Sequence, residues 1–105
     1  MKQQTIDRIR NFTSDRDWGK FHTPANLAKS ISIEAGELLE CFQWGPCTDK
    51  NELKEELADV MNYCIQLAQK EGLDICEILN EKIDKNERKY PVEKSKGVST
   101  KYDKL

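Results

Sequence analysis

Glu34-Ala35-Gly36-Glu37 and, after eighteen further residues, Glu56-Leu57-Ala58-Asp59 are the two stretches on which the reading of this chain turns. Each places two carboxylates three residues apart, and three-residue spacing on a helix puts both on nearly the same side. At about 100° per residue, Leu27, Ile31, Ala35, Leu38 and Phe42 form an apolar stripe, with Glu34 and Glu37 on its shoulder. Leu53, Leu57, Val60, Met61, Cys64 and Ala68 form a second stripe, flanked by Glu56, Asp59 and Tyr63. One such acidic pair alone is a common feature of a solvated helix face. Two pairs, each at the edge of a buried seam, would gather four carboxylates into one small volume. Like charges that close resist ionisation and desolvation unless something positive sits between them. Hard divalent cations such as Mg²⁺ want oxygen ligands of this kind. The pattern therefore predicts a metal site, and a site without thiol or imidazole suits phosphate chemistry.

The rest of the chain agrees with paired amphipathic helices. With 105 residues it is expected to be one domain with a modest core, lean at 37% hydrophobic and rich in charge at 34%. That composition also suits a protomer that completes its core by oligomerising. A net charge of −2 provides no basic field for nucleic acid. No apolar run approaches the length of a membrane span and no signal-peptide pattern opens the chain, so a cytoplasmic protein with no membrane partner is expected. Cys41, Cys47, Cys64 and Cys76 include no CxxC pair, and His22 is the lone histidine. Reduced, structural thiols are the expectation.

Four helices are predicted. The first runs from about Thr5 to Phe12 and is followed by a polar loop, Thr13 to His22, that carries Trp18 and Phe21. Thr23-Pro24 reads as an N-cap with proline at the first helical position, opening a second helix that reaches about Phe42 or Gln43. Gly45-Pro46 breaks it. The third starts near Asp49 and ends at Gly72, a left-handed terminator. Asp74 and Glu77 form a capping-box pattern for the fourth, which Pro91 closes. Residues 92–105 form a polar, lysine-bearing tail, either flexible or laid over a neighbouring surface, beside a helical domain at 1–91. No strand-period alternation of useful length occurs. The fold class is all-α, a helical bundle.

Two further groups accompany the acids. Lys82 and Asn86 are four apart on the fourth helix with Lys89 and Tyr90 a turn further, a set able to hold a polyphosphate or simply to complement the helix dipole. Trp18, Phe21, Trp44 and Tyr63 offer faces for a nucleobase, or lids for a core. His22 can instead hydrogen-bond the turn before the second helix. There is no nucleophile motif, no phosphate-cradling glycine loop and no second histidine, which leaves metal-activated water as the source of reactivity.

These residues, in this order, resemble the MazG-like nucleoside triphosphate pyrophosphohydrolases, and among them the dCTP pyrophosphatase-type branch. The superfamily pattern ExxE, spacer, ExxD appears as Glu34-xx-Glu37 and Glu56-xx-Asp59. The flanks match too: Arg16-Asp17-Trp18, Phe21-His22-Thr23-Pro24-Ala25-Asn26-Leu27, Phe42-Gln43-Trp44, Tyr63, and Lys82-Ile83-Asp84-Lys85-Asn86 leading to Lys89-Tyr90-Pro91. The resemblance spans about residue 12 to the carboxyl end. One departure is Ile9, apolar where some relatives carry a polar pocket residue.

The resemblance implies cleavage of a (deoxy)nucleoside triphosphate between the α and β phosphates, giving the monophosphate and pyrophosphate, with dCTP-like pyrimidines favoured. It implies Mg²⁺, for which Mn²⁺ can stand in, on Glu34, Glu37, Glu56 and Asp59. Glu34 or Glu37 would take the proton of the attacking water. Lys82, Asn86 and Tyr90 would contact phosphate. Trp18, Trp44 and Tyr63 would shape the nucleoside pocket, with His22 in the same family-like stretch. It also implies a homo-oligomer, a dimer or dimer-of-dimers tetramer, with sites between protomers. Two other readings compete: a phosphoribosyl-ATP pyrophosphohydrolase, which shares the acids but lacks the tryptophan-rich flanks, and a non-catalytic helical partner module, which has no need of Lys82, Asn86 and Tyr90.

Overall fold

The computed structural model describes residues 1–104, and among them every regular element is helical. The long helices are α1 (Gln3–Asp15), α2 (Pro24–Glu40), α3 (Lys50–Lys70) and α4 (Ile75–Lys89). A 3₁₀ turn, Trp18–Lys20, lies in the loop expected between α1 and α2. In the tail, α5 (Val92–Ser95) is a single turn, and a further 3₁₀ turn covers Tyr102–Lys104. No helix of the described residues is long and apolar enough to cross a membrane. All four cysteines are free thiols.

The helix starts lie where side chains can satisfy the orphan amides of a first turn. Thr23 Oγ1 accepts from the Asn26 amide at 3.2 Å, with Pro24 in the first helical position. Asp49 Oδ1 accepts from the amides of Asn51 and Glu52 at 3.0 and 3.2 Å. Asp74 Oδ1 accepts from Glu77 at 3.0 Å. The ends follow backbone strain. Gly72, with φ +69°, closes α3 in a Schellman arrangement: Leu73 N–H donates to Ala68 O at 2.8 Å, and Gly72 N–H to Gln69 O at 3.2 Å.

Two ends differ from expectation. α2 stops at Glu40, short of Phe42, because the amides of Cys41, Phe42 and Gln43 turn back to carbonyls three residues earlier, at 2.9–3.1 Å. α1 runs on past Phe12 to Asp15. Thr13 helps by returning its hydroxyl to Arg10 O at 2.9 Å, and the Arg16 guanidinium lies 3.8 Å over the Phe12 ring. Asp17 then turns left-handed at φ 54°, a conformation that aspartate tolerates better than most residues.

The chain divides into two compact units, Met1–Leu73 and a second that begins at Asp74. In the first, α2 packs along α3 and α1 rests on α3. Leu27, Ile65, Ala68 and Ile6 are its buried apolar side chains. Two long-range bonds hold α1 and the 3₁₀ turn to α3: Gln69 Nε2 donates to Ile6 O at 2.9 Å, and Lys70 Nζ to Gly19 O at 3.1 Å. The buried seam is not the one periodicity draws. Ile65, outside the expected stripe, is buried, whereas Leu57 and Met61 are 50% and 40% exposed and Ala35 is exposed. α3 serves two neighbours, so its covered face turns with them along its length. In the second unit α4 half-buries Ile75 and Ile78 and leaves Leu79 and Ile83 largely exposed.

Gly72 gives a direct test of the α3 terminus. A Cβ there meets nothing within 4 Å, so the cost of Gly72→Ala is conformational only, about 1–2 kcal/mol for a left-handed L-residue. Urea unfolding should show that loss, with an unchanged slope.

Candidate active site

The packing of α2 on α3 performs what the two acidic stretches require. Glu34, Glu56 and Asp59 each offer one carboxylate oxygen, and the three atoms lie within 4.8 Å of one another. Glu37 stands near enough to this trio to act on the carboxyls of both Glu34 and Glu56. Glu34 and Glu56 are half-buried and Asp59 is exposed. Each glutamate also has an Oε2 shut away from solvent with no hydrogen-bond partner.

The electrostatic consequence follows. The Glu34 carboxyl is pushed up to about 7, first by the hydrogen bond it shares with Glu37, then by burial, then by the charges of Glu37, Asp59 and Glu56. Burial raises Glu56 as well, followed by the charges of Glu37 and Asp59. The side chains that act on Glu34 and Glu56 are all acids. Orphaned oxygens and unrelieved like charge are the conditions under which oxygen ligands take a hard divalent cation. The donor set fits one: three carboxylates able to converge, with a fourth alongside.

The aromatic residues are ordered along a second line. Phe12 and Trp18 meet edge-on with centroids 5.6 Å apart, Trp18 and His22 at 6.2 Å, and His22 and Tyr63 at 6.4 Å. Trp18, His22 and Tyr63 are thus joined from the 3₁₀ turn to α3, and Tyr63 lies one turn beyond Asp59. Trp44, in the turn between α2 and α3, is 91% exposed and covers no core within this chain. Lys82 and Asn86 lie four residues apart on α4, in the second unit, Tyr90 follows directly after its last residue, and all three are exposed.

Between α1 and α3 runs a cleft of about 710 Å³. Asp59 lines it together with Arg8, Arg16, Asn62 and the apolar Ile9 and Phe12. Its size falls within the range of small-molecule sites, and an apolar wall with a few convergent polar groups is their usual make-up. Arg8, Arg16 and Asn62 had no place among the expected site residues. Arg16 belongs to the Arg16-Asp17-Trp18 string, the one signal in the sequence that pointed toward it.

Residues 29–105 match the MazG-like family. Curated relatives include dCTP pyrophosphatase 1 of Mus musculus, 36% identical, with the alignment covering 98% of this chain and 69% of that protein. The chain belongs to the MazG-like family. Its similarity to dCTP pyrophosphatase 1 of Rattus norvegicus is 37%, and to that of Homo sapiens 36%, over the same shares of each chain. Among solved structures, a pyrophosphatase from Archaeoglobus fulgidus is 44% identical and superposes with a TM-score of 0.77, covering 85% of this chain and 91% of its own. The all-α MazG-like fold is therefore common to both.

A pH prediction follows from the cluster. A carboxyl raised in the folded protein favours the protonated form, so Glu34 weakens the metal-free fold as pH rises from about 4.5 through about 7. A divalent cation binds only the ionised cluster and opposes that loss. Melting temperatures with EDTA should fall across this window, and with millimolar Mg²⁺ the fall should shrink or vanish.

Proposed function

We propose that this chain is a nucleoside triphosphate pyrophosphohydrolase that uses Mg²⁺, with Mn²⁺ able to replace it, and favours dCTP-like pyrimidines. It would cleave between the α and β phosphates to release the nucleoside monophosphate and pyrophosphate. The observation that carries this reading is the convergence of Glu34, Glu56 and Asp59 within 4.8 Å, with Asp59 also lining the cleft between α1 and α3. Relatives named dCTP pyrophosphatase 1, matched over 98% of this chain, favour it over the phosphoribosyl-ATP alternative. They also weigh against a non-catalytic module.

Glu34, Glu56 and Asp59, with Glu37 beside them, would hold the ion. When bound, it supplies positive charge for phosphate oxygens and a water of lowered pKa. Glu37 stands next to the trio and Glu34 titrates near neutrality, so these two are the groups to accept a proton from the attacking water. Lys82, Asn86 and Tyr90 are assigned to the phosphates, and Trp18, His22, Trp44 and Tyr63 to the nucleoside. A stacked base gains roughly 1–3 kcal/mol from an aromatic face, and Trp44 presents its indole to solvent, available to a ligand or a second chain. Uncovered apolar side chains on the acid-bearing helices, Ile33, Leu39 and Leu57, support a homo-oligomer, a dimer or a dimer of dimers.

The test is a panel of deoxynucleoside triphosphates with Mg²⁺, reading pyrophosphate and monophosphate together. Equimolar release of the two, fastest with dCTP, is expected. Asp59→Asn and Glu37→Gln should each lower the rate by at least about two orders of magnitude, comparable to losing a strong electrostatic stabiliser. Near wild-type turnover by either variant at saturating Mg²⁺ would show the acids to be misassigned.

A further inference from the structure

Two amides on α3 link the large cleft to a second, smaller cavity. Asn62 lines the cleft three residues after Asp59, so both project on one face of the helix, about 4.5 Å apart along its axis. Gln66, one turn further, is only 8% exposed. Its Nε2 donates to Asn62 Oδ1 at 3.0 Å. Its Oε1 is shut from solvent and unpartnered within the protein. Gln66 lines a cavity of about 170 Å³ together with Arg10, Thr13, His22, Gln69 and Lys70.

The orientation of this pair is chemically determined. An amide has one acceptor end and one donor end, and a pair of them joined by one hydrogen bond can be arranged in two ways. A cavity whose wall carries guanidinium, ammonium and hydroxyl groups suits a carbonyl oxygen and repels an –NH₂. With Gln66 Oε1 buried and Nε2 facing Asn62, Asn62 Oδ1 is already engaged as an acceptor at 3.0 Å. What Asn62 has left for the cleft is its –NH₂, a donor.

We propose that Asn62 is a specificity-determining residue, donating a hydrogen bond to an acceptor on the nucleoside half of the substrate, and that Gln66 is the positioning residue that sets its polarity. The inference rests on the nucleotide reading of the cleft. The acceptor is a base carbonyl or ring nitrogen, or a sugar oxygen. Ile9 and Phe12 on the facing wall supply apolar contact, and Arg8, Asn11 and Arg16 beside them are further polar groups able to meet the substrate. An amide donor one turn from an acid of the metal cluster lies beyond the phosphates, where identity is read. A site that hydrogen-bonds its substrate discriminates against one lacking the partner atom far better than an apolar wall does.

The experiment measures kcat and KM for dCTP, dTTP, dATP, dGTP and CTP with wild type, Asn62→Leu and Gln66→Glu. Asn62→Leu should raise KM for the preferred nucleotide by about fivefold to tenfold, the value of one hydrogen bond, with little change in kcat, and should flatten preference across the panel. Flattening among bases identifies a base acceptor, and loss of the dCTP-to-CTP ratio alone a sugar oxygen. Gln66→Glu, assayed at a pH high enough to ionise it, has only acceptors, so Asn62 must turn its –NH₂ inward and show Oδ1 to the cleft. Preference should then change order, though residue 66 does not touch the cleft, while a melting scan confirms that the variant is folded. If wild type is active and Asn62→Leu keeps its ratios, this inference is wrong and the pyrophosphohydrolase reading stands. If Asn62→Leu behaves as expected but folded Gln66→Glu keeps the wild-type order, the positioning role is wrong. A wild type that releases pyrophosphate from none of the five overturns both readings.

Discussion

Mutual repulsion among four carboxylates is the constraint around which this molecule is arranged. Glu34, Glu37, Glu56 and Asp59 are carried on two helices whose apolar sides must pack, and packing forces the acids together whether or not they are neutralised. The hydrogen bond with Glu37 and burial push the Glu34 carboxyl up to about 7, and two glutamate oxygens have no partner. A fold selected for stability alone would not keep such a cluster, because each acid could be an amide of the same size. Stability withheld here is what gives a cation its hold.

The remainder of the first unit arranges access to that cluster. α1 leaves a cleft against α3 that Asp59 lines together with apolar, amide and guanidinium groups. The line Phe12–Trp18–His22–Tyr63 braces the 3₁₀ turn against α3, and Gln69 and Lys70 tie the same region to backbone carbonyls. Few side chains are fully buried, so these polar and aromatic ties carry an unusual share of the positioning. Ile33 and Leu39 of α2 and Leu57 of α3 leave apolar surface uncovered within this chain.

Local chemistry made much of this readable in advance. Thr23, Asp49, Asp74 and Gly72 act through bonds to residues a few positions away, so their signals survive in one dimension. The four acids were legible for the same reason: three-residue spacing on a helix is geometry. The buried seam of α3 was not. A single stripe assumes a single neighbour, and α3 has two, which bury Ile65 and leave Leu57 half open. The end of α2 depends on a tightening of the last carbonyls that no residue type announces. Arg8 and Asn62 were invisible as site residues, since a cleft between two helices exists only once they pack, and on their own helices both look like ordinary solvated positions. Gln66 was further out of reach, because its interest lies in an orphaned oxygen and not in its identity.

Cation binding at the acid cluster can be measured directly. Mn²⁺, followed by electron paramagnetic resonance as free ion is lost during titration into nucleotide-free protein, tests it without any reaction. Wild type should bind Mn²⁺ saturably, Mg²⁺ should displace it, and Glu56→Gln should weaken it by about tenfold or more, as loss of a charged ligand requires. Binding that is absent at millimolar Mn²⁺, or that is unchanged in Glu56→Gln, would contradict the account.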